Sequence, residues 1–143
     1  MYNVTRNQLE NLDNRYQDFK NHKRVLCVCS AGMLRSASMS VVLASEYGYN
    51  TRSAGTEDYA LVPVTEALLI WADEIVCAEE RHKERILSEI IYDSEEEYIV
   101  LIESKFYKNV LNKITVLNIP DNFSYMDPKL VELIKERYSD TLK

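Results

Sequence analysis

Glycine and proline are scarce in this 143-residue chain, with three of each. No Gly/Pro-rich linker divides the chain, and each glycine is expected to answer a backbone need. Only three cysteines occur, Cys27, Cys29 and Cys77. They make neither an even disulfide framework nor metal-binding pairs, which fits a reducing compartment where a free thiol persists as a reagent. The apolar runs fall far short of the roughly 18–20 residues that span a bilayer, and the first residues carry no signal-peptide core. A soluble, cytoplasmic protein without membrane contact is expected. Positive charge is also short: 17 Lys and Arg against 23 Asp and Glu leave a formal charge of -6. That argues against a broad nucleic-acid or anionic-membrane surface, so a bound anion needs a local positive site. His22 and His82 have no partner at metal or triad spacing and read as surface or structural residues; no metal or other cofactor is expected.

With 46% hydrophobic residues, the chain has enough apolar material for one compact domain over residues 1–143. Val4, Leu9, Leu12, Tyr16 and Phe19 recur at helical intervals, predicting an amphipathic N-terminal extension over residues 1–20. Strands are predicted at 24–29, 49–53, 74–78 and 114–119, and helices at 36–47, 64–72 and 79–90. A last helix starts at Asp127, a capping residue, and Pro128, suited to the first helical position. Residues 92–113, with the acidic run Asp93 to Glu97, show no clear pattern and read as a variable insertion. Alternating strands and helices predict an α/β fold: a four-stranded parallel sheet between two helical layers.

The densest chemistry lies in Cys29-Ser30-Ala31-Gly32-Met33-Leu34-Arg35-Ser36. An apolar strand delivers a thiol to a short loop, and a helix begins where the arginine sits. At the carboxyl end of a parallel strand this is a functional position. Successive N–H groups of Ser30, Ala31, Gly32, Met33, Leu34, Arg35 and Ser36, closing on a helix N-terminus, make an anion nest. The same field favours a thiolate, since the cysteine pKa of about 8.5 falls to roughly 3.5–7.5 in such places. Arg35 can grip two phosphoryl oxygens in a bidentate fork. Ser36 can donate to the Cys29 sulfur, and Gly32 permits the left-handed turn. Cysteine in an apolar strand is ordinarily core, as Cys27 shows; the ordered coincidence of strand, glycine, arginine, serine and helix sets Cys29 apart.

The run from Cys29 to Ser36 resembles the signature loop of low-molecular-weight protein tyrosine phosphatases. Arg52-Ser53-Ala54-Gly55-Thr56 resembles the Ser-Ala-Gly-Thr segment after their second strand, and Ala72-Asp73 the Ala-Asp before their third. Ile119-Pro120-Asp121-Asn122-Phe123 resembles the segment bearing their general acid. The likeness runs over residues 24–138 and is nearest to the short branch described as predicted tyrosine phosphatases, where a start like Met126-Asp127-Pro128 also appears. It implies that fold and a protein tyrosine phosphatase activity, with phosphotyrosine protein or a small aryl phosphate as substrate. Cys29 would attack phosphorus, Arg35 would hold the oxygens and Asp121 would protonate the leaving group. Asp127 is explained as a helix cap, so the acid is assigned to Asp121. Phe123, Tyr125 and Met33 would line the pocket rim.

The family's Gly-Asn is Ala31-Gly32 here, removing the asparagine that braces the loop, and Leu34 replaces the second loop cysteine. Bracing and redox control are therefore expected to differ. Cys29 to Met33 also matches the Cys-Ser-Ala-Gly-Met of some sugar-transport phosphocarrier domains, which keep phosphate on cysteine but lack the arginine and the late aspartate. A thioredoxin-coupled arsenate reductase needs a relay of cysteines; Cys77 is alone in its region, although its strand would neighbour that of Cys29. A noncatalytic phosphate-binding module is the remaining alternative.

Overall fold

A computed structural model describes residues 22–92 and 105–143. The expected N-terminal helix and the acidic run within 92–113 lie outside the described residues. Four strands, β1 (Arg24–Cys29), β2 (Asn50–Gly55), β3 (Glu74–Cys77) and β4 (Ile114–Val116), form one sheet in the order β2-β1-β3-β4. All neighbours pair in parallel. The helices are α1 (Arg35–Tyr47), α2 (Glu66–Trp71), α3 (Glu80–Tyr92), α4 (Lys105–Asn112) and α5 (Pro128–Thr141).

β1 is central and buried on both faces, which explains its unbroken Val/Leu/Cys run. Its side chains alternate. Val25, Cys27 and Cys29 pack with Met39, Val42 and Leu43 of α1 and Leu130, Ile134 and Tyr138 of α5. Leu26 and Val28 face the other layer, with Leu68, Leu69 and Trp71 of α2, Ile86 and Ile90 of α3 and Val110 of α4. The expected three-layer α/β/α arrangement around a parallel sheet is what the chain forms.

α5 begins as read from the sequence: Asp127 accepts from the Lys129 N–H at 2.9 Å and proline stands in the first turn. Other elements differ at their ends. β2 runs on through Ser53 to Gly55, paired residue for residue with β1. β4 stops at Val116, although the N–H groups of Leu117 and Ile119 still donate to the carbonyls of Cys77 and Ala78. Between them Asn118 adopts φ 58°, which breaks the regular ladder. α4 lies in the segment without a clear sequence pattern, and it buries Val110 beside α3. Cys77 packs in the layer opposite Cys29, so neighbouring strands do not bring these thiols to the same face.

Candidate active site

Residues 30–34 connect the end of β1 to α1, and the chain around them dictates which way their backbone faces. The carbonyls of Cys29, Ser30 and Ala31 accept from the N–H groups of Thr56, Glu57 and Leu61 at 3.0, 3.1 and 3.2 Å. Those acceptors are thus occupied by the segment after β2. Gly55 makes the approach possible: a Cβ there would lie 2.4 Å from the Ser30 carbonyl oxygen. Gly32 has φ 73°, and a Cβ on it would come within 2.9 Å of the Ala54 backbone. This left-handed residue turns its own N–H onto the Cys29 sulfur at 3.3 Å.

α1 starts without a side-chain cap, because Leu34 at its N-cap has no oxygen to offer. α2 and α5, by contrast, are capped by Thr65 and Asp127. The N-terminal amides of α1 therefore remain available to an anion, and the helix dipole adds positive potential beside Cys29.

Cys29 is 3% exposed. Burial pushes its pKa up, but the Ser36 hydroxyl, the amides of Ser36 and Gly32 and the Arg35 charge outweigh it, and the net direction is down. Cys27 and Cys77 go the other way: burial raises both, Cys77 to about 12. Of three buried thiols, only Cys29 is held toward its ionised form.

Ser36 Oγ lies 3.2 Å from Cys29 Sγ and 2.7 Å from Ser53 Oγ, and Ser53 Oγ lies 3.1 Å from the Gly32 carbonyl. Counting protons gives this chain a direction. With a thiol, Cys29 donates to Ser36, Ser36 to Ser53 and Ser53 to Gly32. With a thiolate, one proton fewer is shared, so Ser36 donates to sulfur and Ser53 turns to Ser36.

Arg35 is 2% exposed and is gripped from behind. Its Nη1 donates to the Glu79 carboxylate and, at 2.9 Å, to the Ile119 carbonyl. Arg35 Nε faces Asp121 Oδ1 at 3.6 Å, an ion pair whose carboxylate is 58% exposed. Hydrogen bonds from Arg81, opposed by slight burial and assisted by Arg35, hold the Glu79 carboxyl below the usual range. The segment carrying Asp121 is tied at both ends, by Ile119 to Arg35 and by the Met126 N–H to Ser38 Oγ at 2.9 Å.

Cys29, Arg35, Ser36 and Asp121 thus meet at the carboxyl ends of the strands. Met33, Leu34 and Tyr125 keep substantial exposed surface, whereas Phe123 is half-buried against the α1/α5 layer. Two participants were missed by sequence reasoning: Glu79, which holds Arg35, and His82, which contacts Ser30. Their spacing at the head of a helix, Glu79-x-x-His82, resembles a capping box and was the available signal.

No protein-family model and no curated protein sequence matches the chain. Solved structures do. Wzb of Vibrio vulnificus, in complex with benzylphosphonate, superposes with TM-score 0.58 at 17% identity, over 83% of this chain and 96% of that one. YwlE arginine phosphatase of Geobacillus stearothermophilus gives 0.54 at 16% identity, over 84% and 92%. A protein tyrosine phosphatase of Entamoeba histolytica gives 0.51 at 15%, over 84% and 93%. The fold is that of low-molecular-weight protein tyrosine phosphatases.

Proposed function

We propose that this chain is a cysteine-dependent phosphomonoester hydrolase acting on aryl phosphates, phosphotyrosine in protein being the substrate class that best fits the rim. One observation carries the reading: the Cys29 sulfur is ringed by the Gly32 amide and Ser36 donors at the open end of α1, with Arg35 alongside.

In the first step the thiolate of Cys29 attacks phosphorus in line, forming S–P as the P–O bond to the leaving group breaks. The loop amides and Arg35 stabilise the equatorial oxygens. Nη1 of Arg35 is committed to Glu79 and Ile119, so Nε and Nη2 are the edge offered to phosphate. A phosphoryl oxygen at Nε takes the place that Asp121 faces in the resting molecule. Protonated Asp121 then gives its proton to the leaving phenolate oxygen. In the second step ionised Asp121 takes a proton from water as that water attacks phosphorus. The S–P bond breaks, phosphate leaves and the thiolate is regenerated.

The exposed apolar side chains of Met33 and Leu34 beside the nest, with Tyr125, suit a flat aromatic leaving group better than a cationic guanidinium. The benzylphosphonate held by Wzb on the same fold has the same benzyl-like character. The three thiols are buried and Cys77 lies in the other layer, which disfavours a disulfide relay to Cys29.

The test is turnover of p-nitrophenyl phosphate, a phosphotyrosine peptide and phosphoarginine, in wild type and Cys29→Ser. Catalytic release of phosphate from the two aryl esters, abolished in the variant, supports the proposal. Stoichiometric phosphorylation without turnover would instead indicate a carrier, and preference for phosphoarginine would overturn the aryl assignment.

A further inference from the structure

His82 is 1% exposed, and both of its ring nitrogens are engaged. The Glu79 N–H donates to Nδ1 at 3.0 Å, and Ser30 Oγ lies 3.0 Å from Nε2. An amide N–H can only donate, so Nδ1 is unprotonated and the neutral ring carries its proton on Nε2, from which it donates to Ser30. Burial, together with the Arg35 and Arg81 charges, lowers the His82 pKa to about 4, so this tautomer persists at neutral pH.

Half of this arrangement is an ordinary helix start. Glu79 is the residue before α3 and His82 is third within it, so the ring takes the part that Glu or Gln plays in a capping box. A carboxylate would cap equally well, however, and could not donate to Ser30. The Ser30 contact spans 52 residues and ends on the neighbour of Cys29. Glu79, whose backbone the same ring holds, carries the carboxylate that grips Arg35.

We propose that His82 is a positioning residue that fixes the Cys29 end of the anion nest relative to Arg35, through Ser30 on one side and Glu79 on the other. The inference rests on reading the nest as a phosphate site. It gives that nest the bracing that Gly32, lacking a side chain, does not supply. Ser53 meets the loop at the Gly32 carbonyl or at Ser36, according to the charge on Cys29, and His82 holds it at Ser30.

Three single variants and one double separate positioning from capping. In His82→Asn the amide oxygen replaces Nδ1 as acceptor for Glu79, but the side chain is too short to reach Ser30. His82→Gln offers both an acceptor and a longer donor, as in a regular capping box. Ser30→Ala removes the far partner and leaves the cap intact. The readouts are inorganic phosphate affinity by calorimetry, the rate of Cys29 alkylation by iodoacetamide, thermal unfolding, and the ring nitrogen shifts of His82 by NMR.

Expected are a Nε2–H ring in wild type, and phosphate binding weakened about five- to tenfold in both His82→Asn and Ser30→Ala, the loss of one hydrogen bond. Alkylation should slow in both, the double variant should be no worse than either single one, and His82→Gln should recover most of the loss. Wild-type phosphate affinity and alkylation in Ser30→Ala, or losses that add in the double variant, would overturn the proposal even if His82→Asn failed to fold. A protein that binds phosphate with this pattern but hydrolyses no ester would refute the phosphatase reading and leave the positioning role standing.

Discussion

Replacing Ser36 with alanine isolates the side-chain hydrogen bond that favours the Cys29 thiolate. Ser36 Oγ lies 3.2 Å from the sulfur, while the Gly32 and Ser36 amides and Arg35 remain in Ser36→Ala. No hydroxyl is stranded, because without Ser36 the Ser53 hydroxyl can donate to the Gly32 carbonyl 3.1 Å away. A hydrogen bond to a charged group contributes about 1.5–3 kcal/mol. At about 1.36 kcal/mol per pH unit, its loss moves the thiol titration up by roughly one to two units. The assay is the rate of Cys29 alkylation by iodoacetamide as a function of pH. The midpoint should rise by that amount and the high-pH plateau should stay, since the nucleophile itself is unchanged. The wild-type midpoint should lie below that of an ordinary cysteine. A variant that folds normally and keeps the wild-type midpoint would refute the claim that Ser36 stabilises the thiolate.

Asp121→Asn should lower kcat/KM, which reports transfer of phosphate to Cys29, by about 10²–10⁴ for esters with poor leaving groups and by much less for p-nitrophenyl phosphate; an equal loss of kcat/KM with both would remove Asp121 from the acid role. Stability should fall on acidification between about pH 6.5 and 4. His82 has its pKa lowered to about 4 in the folded protein, so the unfolded chain takes up its proton first. The contribution of His82 is full above the ordinary histidine value and is lost toward pH 4, by at most roughly 3 kcal/mol. Urea unfolding at pH 7 and 4.5 measures it, and His82→Gln should flatten that window; an unchanged slope would contradict it.

The parts of the molecule legible from sequence are those whose signals are local. β1 is a continuous apolar run because the sheet buries it on both sides. α5 announces itself through Asp127 and Pro128, and the nest lies within eight consecutive residues. β2 was read too short because Ala54 and Gly55 are small and carry little strand propensity, yet both pair with β1. α4 was missed because its eight residues fall short of the roughly 11–18 over which a helical period is read, although Phe106, Tyr107 and Val110 do gather on the core side. The residues behind the nest were illegible for a different reason. Arg35 and Glu79 are 44 positions apart and Ser30 and His82 are 52, and only parallel pairing of β1 with β3 brings the two loops together. Periodicity along the chain does not carry that information.

Every other role at the site presupposes that Cys29 is the nucleophile that accepts phosphate. Rapid acid quenching of p-nitrophenyl phosphate turnover, followed by peptide mass analysis, tests it most directly. A phosphoryl group is expected on the peptide at Cys29, accumulating further in Asp121→Asn as hydrolysis of the intermediate slows, with no adduct or turnover in Cys29→Ala. Phosphate found on another residue, or turnover that persists in Cys29→Ala, would contradict it.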